Sequence, residues 1–121
     1  MTALKLRILF DGAMMGPGKA ELLGRIRETG SIAAAGRQMD MSYKRAWMLV
    51  EEMNAAFARP LVTSARGGTG GGGARLTETG EEVLRLYRAV VAQAEKAAAE
   101  PMAALEAMLR GRETGEISDG K

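Results

Sequence analysis

The run Arg66-Gly67-Gly68-Thr69-Gly70-Gly71-Gly72-Gly73-Ala74-Arg75 sets the tightest limit on what this chain can fold into. Glycine loses more backbone freedom on ordering than any other residue, so a run this dense belongs in a loop rather than inside a helix or strand. The two bracketing arginines make that loop cationic. Its flanks give it a place. Upstream, Ser42 to Asn54 has helical spacing, Arg59-Pro60 breaks the helix, and Leu61-Val62-Thr63 is a short β-rich run. Downstream, Gly73-Ala74-Arg75-Leu76 returns as a partner strand, and Leu76 to Glu82 opens another helix. A basic helix, a strand, a glycine-rich basic turn and a second strand follow one another in the order of a winged helix-turn-helix. A flexible linker would also be glycine-rich, but a linker joins two domains, and only helix and tail follow here.

The rest of the chain fits that frame. Leu4, Leu6, Ile8 and Phe10 alternate with Lys5, Arg7 and Leu9 as in a half-buried strand, which is expected to pair with the wing. Asp11 to Gly18 reads as a turn or loop. Lys19 to Thr29 reads as a helix burying Leu22, Leu23 and Ile26, and Gly30 ends it. Ser31 is a suitable N-cap for an alanine-rich helix over Ile32 to Met39. Asp40-Met41 leaves room only for a tight turn before Ser42 caps the next helix, so two helices meet at a sharp angle. In that second helix Ala46, Leu49, Val50, Met53 and Phe57 share one face, while Tyr43, Lys44, Arg45 and Trp47 gather in the first turns. Trp47 could be core or contact. Thr77 and Thr79 are both candidate caps for the long helix that follows; Thr79 has Glu82 at capping-box spacing.

Along that helix Val83, Tyr87, Val90, Val91 and Ala94 form an apolar stripe, which resumes after Pro101 with Met102, Leu105 and Leu109. One small domain cannot cover so much apolar helix, so these residues are expected to pack on a second copy of the chain. The resulting division is a winged helix over 1–78, a helical dimerisation segment over 79–110 and a flexible tail over 111–121, mainly α with a small β wing.

Composition removes most enzyme chemistry. The 121 residues contain neither cysteine nor histidine, which excludes disulfides, thiolate or Ser-His nucleophile systems and the common zinc ligand sets. No catalytic residues and no metal ligands are expected. Gly16-Pro17-Gly18-Lys19 falls short of a phosphate loop, because Ala13 stands where that pattern needs glycine and Ala20 where it needs serine or threonine. No run suits a membrane span or a signal peptide, so a soluble, cytoplasmic protein is expected. The charge is uneven: residues 1–75 hold eleven Lys or Arg against six Asp or Glu, whereas residues 76–121 hold six against nine. The basic excess sits with the helix-turn-helix and wing, as a nucleic-acid footprint requires.

Ser42, Tyr43, Lys44, Arg45 and Trp47 are therefore the candidate recognition-helix residues, offering phosphate and base-edge donors in the first turns of the helix. Arg66, Gly67, Gly68, Thr69, Gly70, Gly71, Gly72, Gly73 and Arg75 form the candidate wing, whose glycines permit close approach to a duplex and whose arginines suit a narrow minor groove. Ser31, Arg37 and Gln38 are placed to reach phosphate. The expected partners are double-stranded DNA with a palindromic site and a second copy of the chain. A low-specificity architectural protein shares these features, and a protein-interaction adaptor would use the methionine- and alanine-rich helices instead.

Gly30-Ser31-Ile32, Ser42-Tyr43-Lys44 through Ala46-Trp47 to Glu52-Met53-Asn54, and the glycine run through Leu76-Thr77 together resemble the DNA-binding domain of the ModE family of molybdate-responsive transcription regulators. The resemblance spans roughly residues 4 to 100, with a lesser likeness to the LysR-type N-terminal domain. It implies a dimeric, bacterial, cytoplasmic regulator of operators near molybdate-transport or molybdoenzyme genes. In that family molybdate is bound by C-terminal β-barrel domains. No strand-rich segment follows the long helices here, so no cofactor is expected and molybdate sensing is not expected within these residues.

Overall fold

The computed structural model describes residues 2–65 and 73–111. The wing residues Arg66, Gly67, Gly68, Thr69, Gly70, Gly71 and Gly72, and the tail beyond Gly111, lie outside the described residues. The elements are β1 (Ile8–Phe10), β2 (Ala13–Met15), α1 (Pro17–Thr29), α2 (Ile32–Gln38), α3 (Tyr43–Ala56), β3 (Val62–Ala65), β4 (Gly73–Leu76), α4 (Glu78–Ala97) and α5 (Ala99–Ala107). They fall into two compact units, Lys5–Arg88 and residues 2–4 with 89–111.

In the first unit, α1, α2 and α3 pack around Leu22, Leu23, Ile26, Ala35, Ala46, Val50 and Met53, with Leu61, Leu84 and Tyr87 completing the core. Pro17 opens α1, where its missing N–H is no loss. Gly30 closes it in the left-handed conformation (φ 72°), donating its N–H to the Ile26 carbonyl. The Gly30 carbonyl then accepts from Ala74 N–H at 2.9 Å, tying the end of α1 to β4.

Two elements differ from the sequence reading. β1 pairs antiparallel with β2, with Ile8 opposite Met15, and not with the wing. Alternation identifies a strand but not its partner, and the nearest apolar run was hidden in the segment read as loop. Ala13-Met14-Met15 is a strand returning from the Asp11-Gly12 turn, where Gly12 takes φ 89°. The wing hairpin is separate: β3 and β4 are antiparallel, in the register Val62 to Leu76, Thr63 to Arg75, Ser64 to Ala74 and Ala65 to Gly73.

The choice between caps for α4 resolves to Thr77, whose hydroxyl accepts from Gly80 N–H at 2.9 Å and donates to the Pro60 carbonyl at 2.7 Å. Tyr87 is buried, and its hydroxyl donates to the Leu6 carbonyl at 2.5 Å. It thus belongs to the core of its own unit rather than to the apolar stripe, a correction to its place among the dimerisation residues; a phenol at a stripe position can equally face inward when a carbonyl waits for its proton. In the second unit the helix breaks at Ala98, and Pro101 lies in the first turn of α5, where its missing N–H is tolerated. Thr2 donates to the Glu106 carboxylate in that unit.

Candidate nucleic-acid interface

The helix-turn-helix angle is set by small residues and one unusual backbone. The turn after α2 is closed by Met39 and Met41 N–H groups on the Gly36 carbonyl, both at 3.0 Å, and Asp40 between them takes φ 59°. Aspartate is among the few non-glycine residues that visit this region readily. Gly36 is buried where a Cβ would lie 3.0 Å from the Ala46 Cβ, so a side chain there would press on the Ala46 methyl of α3.

Both serines read as caps act as caps. Ser31 accepts from Ala34 N–H and Ser42 accepts from Arg45 N–H, each at 3.0 Å. Ser42 fixes the N-terminal turn of α3, where the partial positive charge of the helix favours an anion. Tyr43, Lys44 and Arg45 are exposed on that turn, and Trp47 is 42 % exposed, which places it on the surface and not in the core. Met48, also exposed at 45 %, lies one turn beyond Lys44 and went unnoticed in the sequence, because a methionine at helical spacing reads as core.

Tyr43, Trp47 and Asn54 of α3, Ser31 at the start of α2, and Thr63, Ser64 and Gly73 of the wing line one open groove of about 480 Å³. α3 and the wing strands thus border the same groove. Arg75, across the hairpin from Thr63, is exposed at its wing side. Arg37, Lys44, Arg45 and Arg75 make no ion pair among the described residues, whereas Arg27 pairs with Glu81 at 2.8 Å and Arg85 with Glu82 at 2.5 Å. The Arg85 hydrogen bond holds the Glu82 carboxyl below its ordinary range. Arg37 is exposed at the end of α2, but the side-chain Oε1 of the neighbouring Gln38 accepts from Arg25 at 2.9 Å and is partly committed. Lys19, of the failed phosphate-loop motif, is spent on the Met14 carbonyl at 3.2 Å and on Glu52 at 3.3 Å.

Val83, Val91, Ala94 and Met102 are half-buried, and Val90, Leu105 and Leu109 are exposed along α4, α5 and the residues just after. No helix among the described residues is long and apolar enough to cross a membrane.

Sequence comparison places this geometry among known proteins. Residues 19–81 match the bacterial regulatory helix-turn-helix proteins of the lysR family. The molybdenum-pterin-binding protein MopB of Rhodobacter capsulatus is 49 % identical over 81 residues, 67 % of this chain and 30 % of MopB. The transcriptional regulator ModE of Yersinia pestis is 44 % identical over 71 residues, covering 59 % of this chain and 27 % of that protein. The DNA-binding transcriptional dual regulator ModE of Escherichia coli K12 is 42 % identical over 71 residues, with the same coverage. The chain thus spans less than a third of the length of these relatives.

Proposed function

We propose that this chain, which belongs to the bacterial regulatory helix-turn-helix proteins of the lysR family and carries a winged helix of the ModE and Mop type, is a cytoplasmic, sequence-specific DNA-binding regulator that acts as a homodimer. The first turns of α3 enter the major groove with Ser42, Tyr43, Lys44, Arg45 and Trp47, and the wing, with Arg75 on its described strand, meets the flanking backbone or minor groove. The observation that carries this reading is the common groove bordered by the exposed N-terminal half of α3 and the wing strands, with Lys44, Arg45 and Arg75 free of carboxylate partners among the described residues. A dimer is supported by the exposed apolar side chains of the C-terminal helices, with Leu105 at 67 % and Met108 at 77 % exposure. Molybdenum-pterin binding is in the name of MopB, and we assign no cofactor to this chain.

Selection of bound fragments from a genomic pool against excess random competitor tests the proposal. The expected result is one motif with two-fold symmetry and half-sites about one helical turn or more apart. Arg45→Ala should then weaken binding by about 1 to 3 kcal/mol and relax the motif at one position. Unchanged affinity of that variant on every duplex would refute the placing of α3. Recovery of unrelated fragments with a steep salt dependence would indicate an architectural protein instead.

A further inference from the structure

We propose that Asn54 is a positioning residue that sets the wing against the recognition helix and, through the wing, governs contact with the flanks of the bound duplex. The inference rests on the DNA-binding reading above. Asn54 lies on α3 well beyond the first turns that carry Tyr43, Lys44 and Arg45, and its side chain is half-buried. Its Oδ1 accepts from Leu61 N–H at 2.8 Å and Val62 N–H at 3.1 Å, and its Nδ2 donates to the Val62 carbonyl at 3.1 Å. Two backbone N–H groups converging on one atom identify that atom as oxygen, so the hydrogen-bond network itself fixes the orientation of the amide.

One side chain of the recognition helix therefore holds three backbone groups where β3 begins. Val62 pairs with Leu76 and Thr63 with Arg75, so the position of Arg75 follows from the strand that Asn54 secures. An asparagine suits the task by its inventory: a short side chain presenting an acceptor with two lone pairs beside a donor. Aspartate lacks the donor and alanine lacks both. Both Oδ1 bonds and one Nδ2 hydrogen of Asn54 are engaged by the start of β3, and it is through that strand and Arg75 that the proposal has it act.

The test uses the duplex that the parent chain enriches, with Asn54→Ala, Asn54→Asp, Arg75→Ala and the Asn54→Ala/Arg75→Ala pair. Helix content by circular dichroism is expected to stay at the parent level for both Asn54 variants. Affinity should fall roughly tenfold, the order of one lost wing contact. Hydroxyl-radical protection should disappear at the flanks and persist at the centre of each half-site. In the double variant the loss should be smaller than the product of the two single losses, because both act through the same wing. Asn54→Asp keeps the two acceptor bonds and sets a carboxylate oxygen against the Val62 carbonyl, and should change the footprint in the same way even where Asn54→Ala does not fold. A uniform loss of the whole footprint, independent action of Asn54 and Arg75, or collapse of both Asn54 variants would make Asn54 an ordinary structural residue and overturn the proposal. Failure of the parent to enrich any motif would instead overturn the DNA-binding reading, and this proposal with it.

Discussion

Replacing Gly80 with alanine should unfold this protein more readily than any change of one methyl group would suggest. α4 starts against the backbone of Leu61. A Cβ on Gly80 would lie 2.1 Å from the Leu61 carbonyl oxygen and 3.0 Å from its carbon. Neither atom can rotate away, so the first turn of α4 must retreat by roughly 1 Å to reach ordinary contact. That turn also carries Thr77 N–H on the Leu61 carbonyl at 2.9 Å and the Thr77 hydroxyl on the Pro60 carbonyl at 2.7 Å, and such a retreat stretches both past hydrogen-bonding range. Overpacking contributes a loss of about 1 to 3 kcal/mol, and each hydrogen bond about 0.5 to 1.5 kcal/mol. The better helix propensity of alanine offsets about 1 kcal/mol. The balance centres near 3 kcal/mol of destabilisation, a fall in melting temperature of at least about 10 °C for a unit of this size. Gly24→Ala is the control. Its Cβ would meet the Arg88 Nη2 at 2.8 Å, the far end of a flexible side chain that can swing aside. That variant should melt within a few degrees of the parent or above it, by about 1 kcal/mol at most. Thermal unfolding followed at 222 nm, a wavelength set by helical peptide absorption, decides the matter. A Gly80→Ala protein that melts at or above the parent temperature would refute the reasoning, as would equal damage from Gly24→Ala.

Other perturbations follow from single contacts. Ser42→Ala removes the acceptor of Arg45 N–H at the start of α3 and should lower stability by about 1 kcal/mol, whereas Ser42→Asp should restore it; equal unfolding midpoints for all three proteins would contradict the capping role. Burial raises the Tyr87 phenol above its ordinary value of 10.0. The folded state therefore favours the neutral phenol, so its contribution is complete below about pH 10 and is lost as pH rises through the raised pKa. Urea unfolding between pH 9 and 11.5, a range chosen to bracket tyrosine ionisation, should show a steeper alkaline loss for the parent than for Tyr87→Phe. Identical pH dependence would mean that the phenol titrates as freely in the folded chain as in the unfolded one.

Much of the fold was legible because its signals are local. Ser31 and Ser42 advertise helix starts, Gly30 a helix end, and the short runs on either side of the glycines two strands. The β1–β2 hairpin was not, because its second strand is three residues long and sits beside Gly16-Pro17-Gly18, which reads as loop. The choice between Thr77 and Thr79 stayed open in the sequence for a different reason. Capping-box spacing favours Thr79, but the Thr77 hydroxyl also satisfies the Pro60 carbonyl, a tertiary contact that no local pattern contains. Trp47 was ambiguous because both core and contact residues recur at helical spacing. Its exposure follows from Ala46 beside it, which takes the buried position against Gly36 and turns Trp47 outward. Asn54 lay inside the run Glu52-Met53-Asn54 that carries part of the family resemblance, but a half-buried amide on a helix gives no sign of what it bonds until the returning strand is in place.

The wing hairpin is the point on which these separate observations converge within Lys5–Arg88. Asn54 of α3 holds Leu61 and Val62, Thr77 at the head of α4 holds Pro60 and Leu61, and Gly30 at the end of α1 holds Ala74. β3 is thus anchored where it begins and β4 near its first residue, by hydrogen bonds whose distance and angle requirements tolerate less displacement than apolar packing does. Gly80 and Gly73 are small for the same reason: a Cβ at either would press on the Leu61 or the Gly30 carbonyl. A hairpin fixed in this way cannot tilt without breaking bonds on at least one of three helices. On the proposed DNA-binding reading, the orientation of Arg75 relative to Lys44 and Arg45 is set before a duplex arrives, and a preset geometry spends less binding energy on ordering its contacts. The same connection runs in reverse. A change at the first turn of α4 reaches the wing through Thr77 and Leu61, so Gly80→Ala should weaken DNA binding even at temperatures where that variant remains folded.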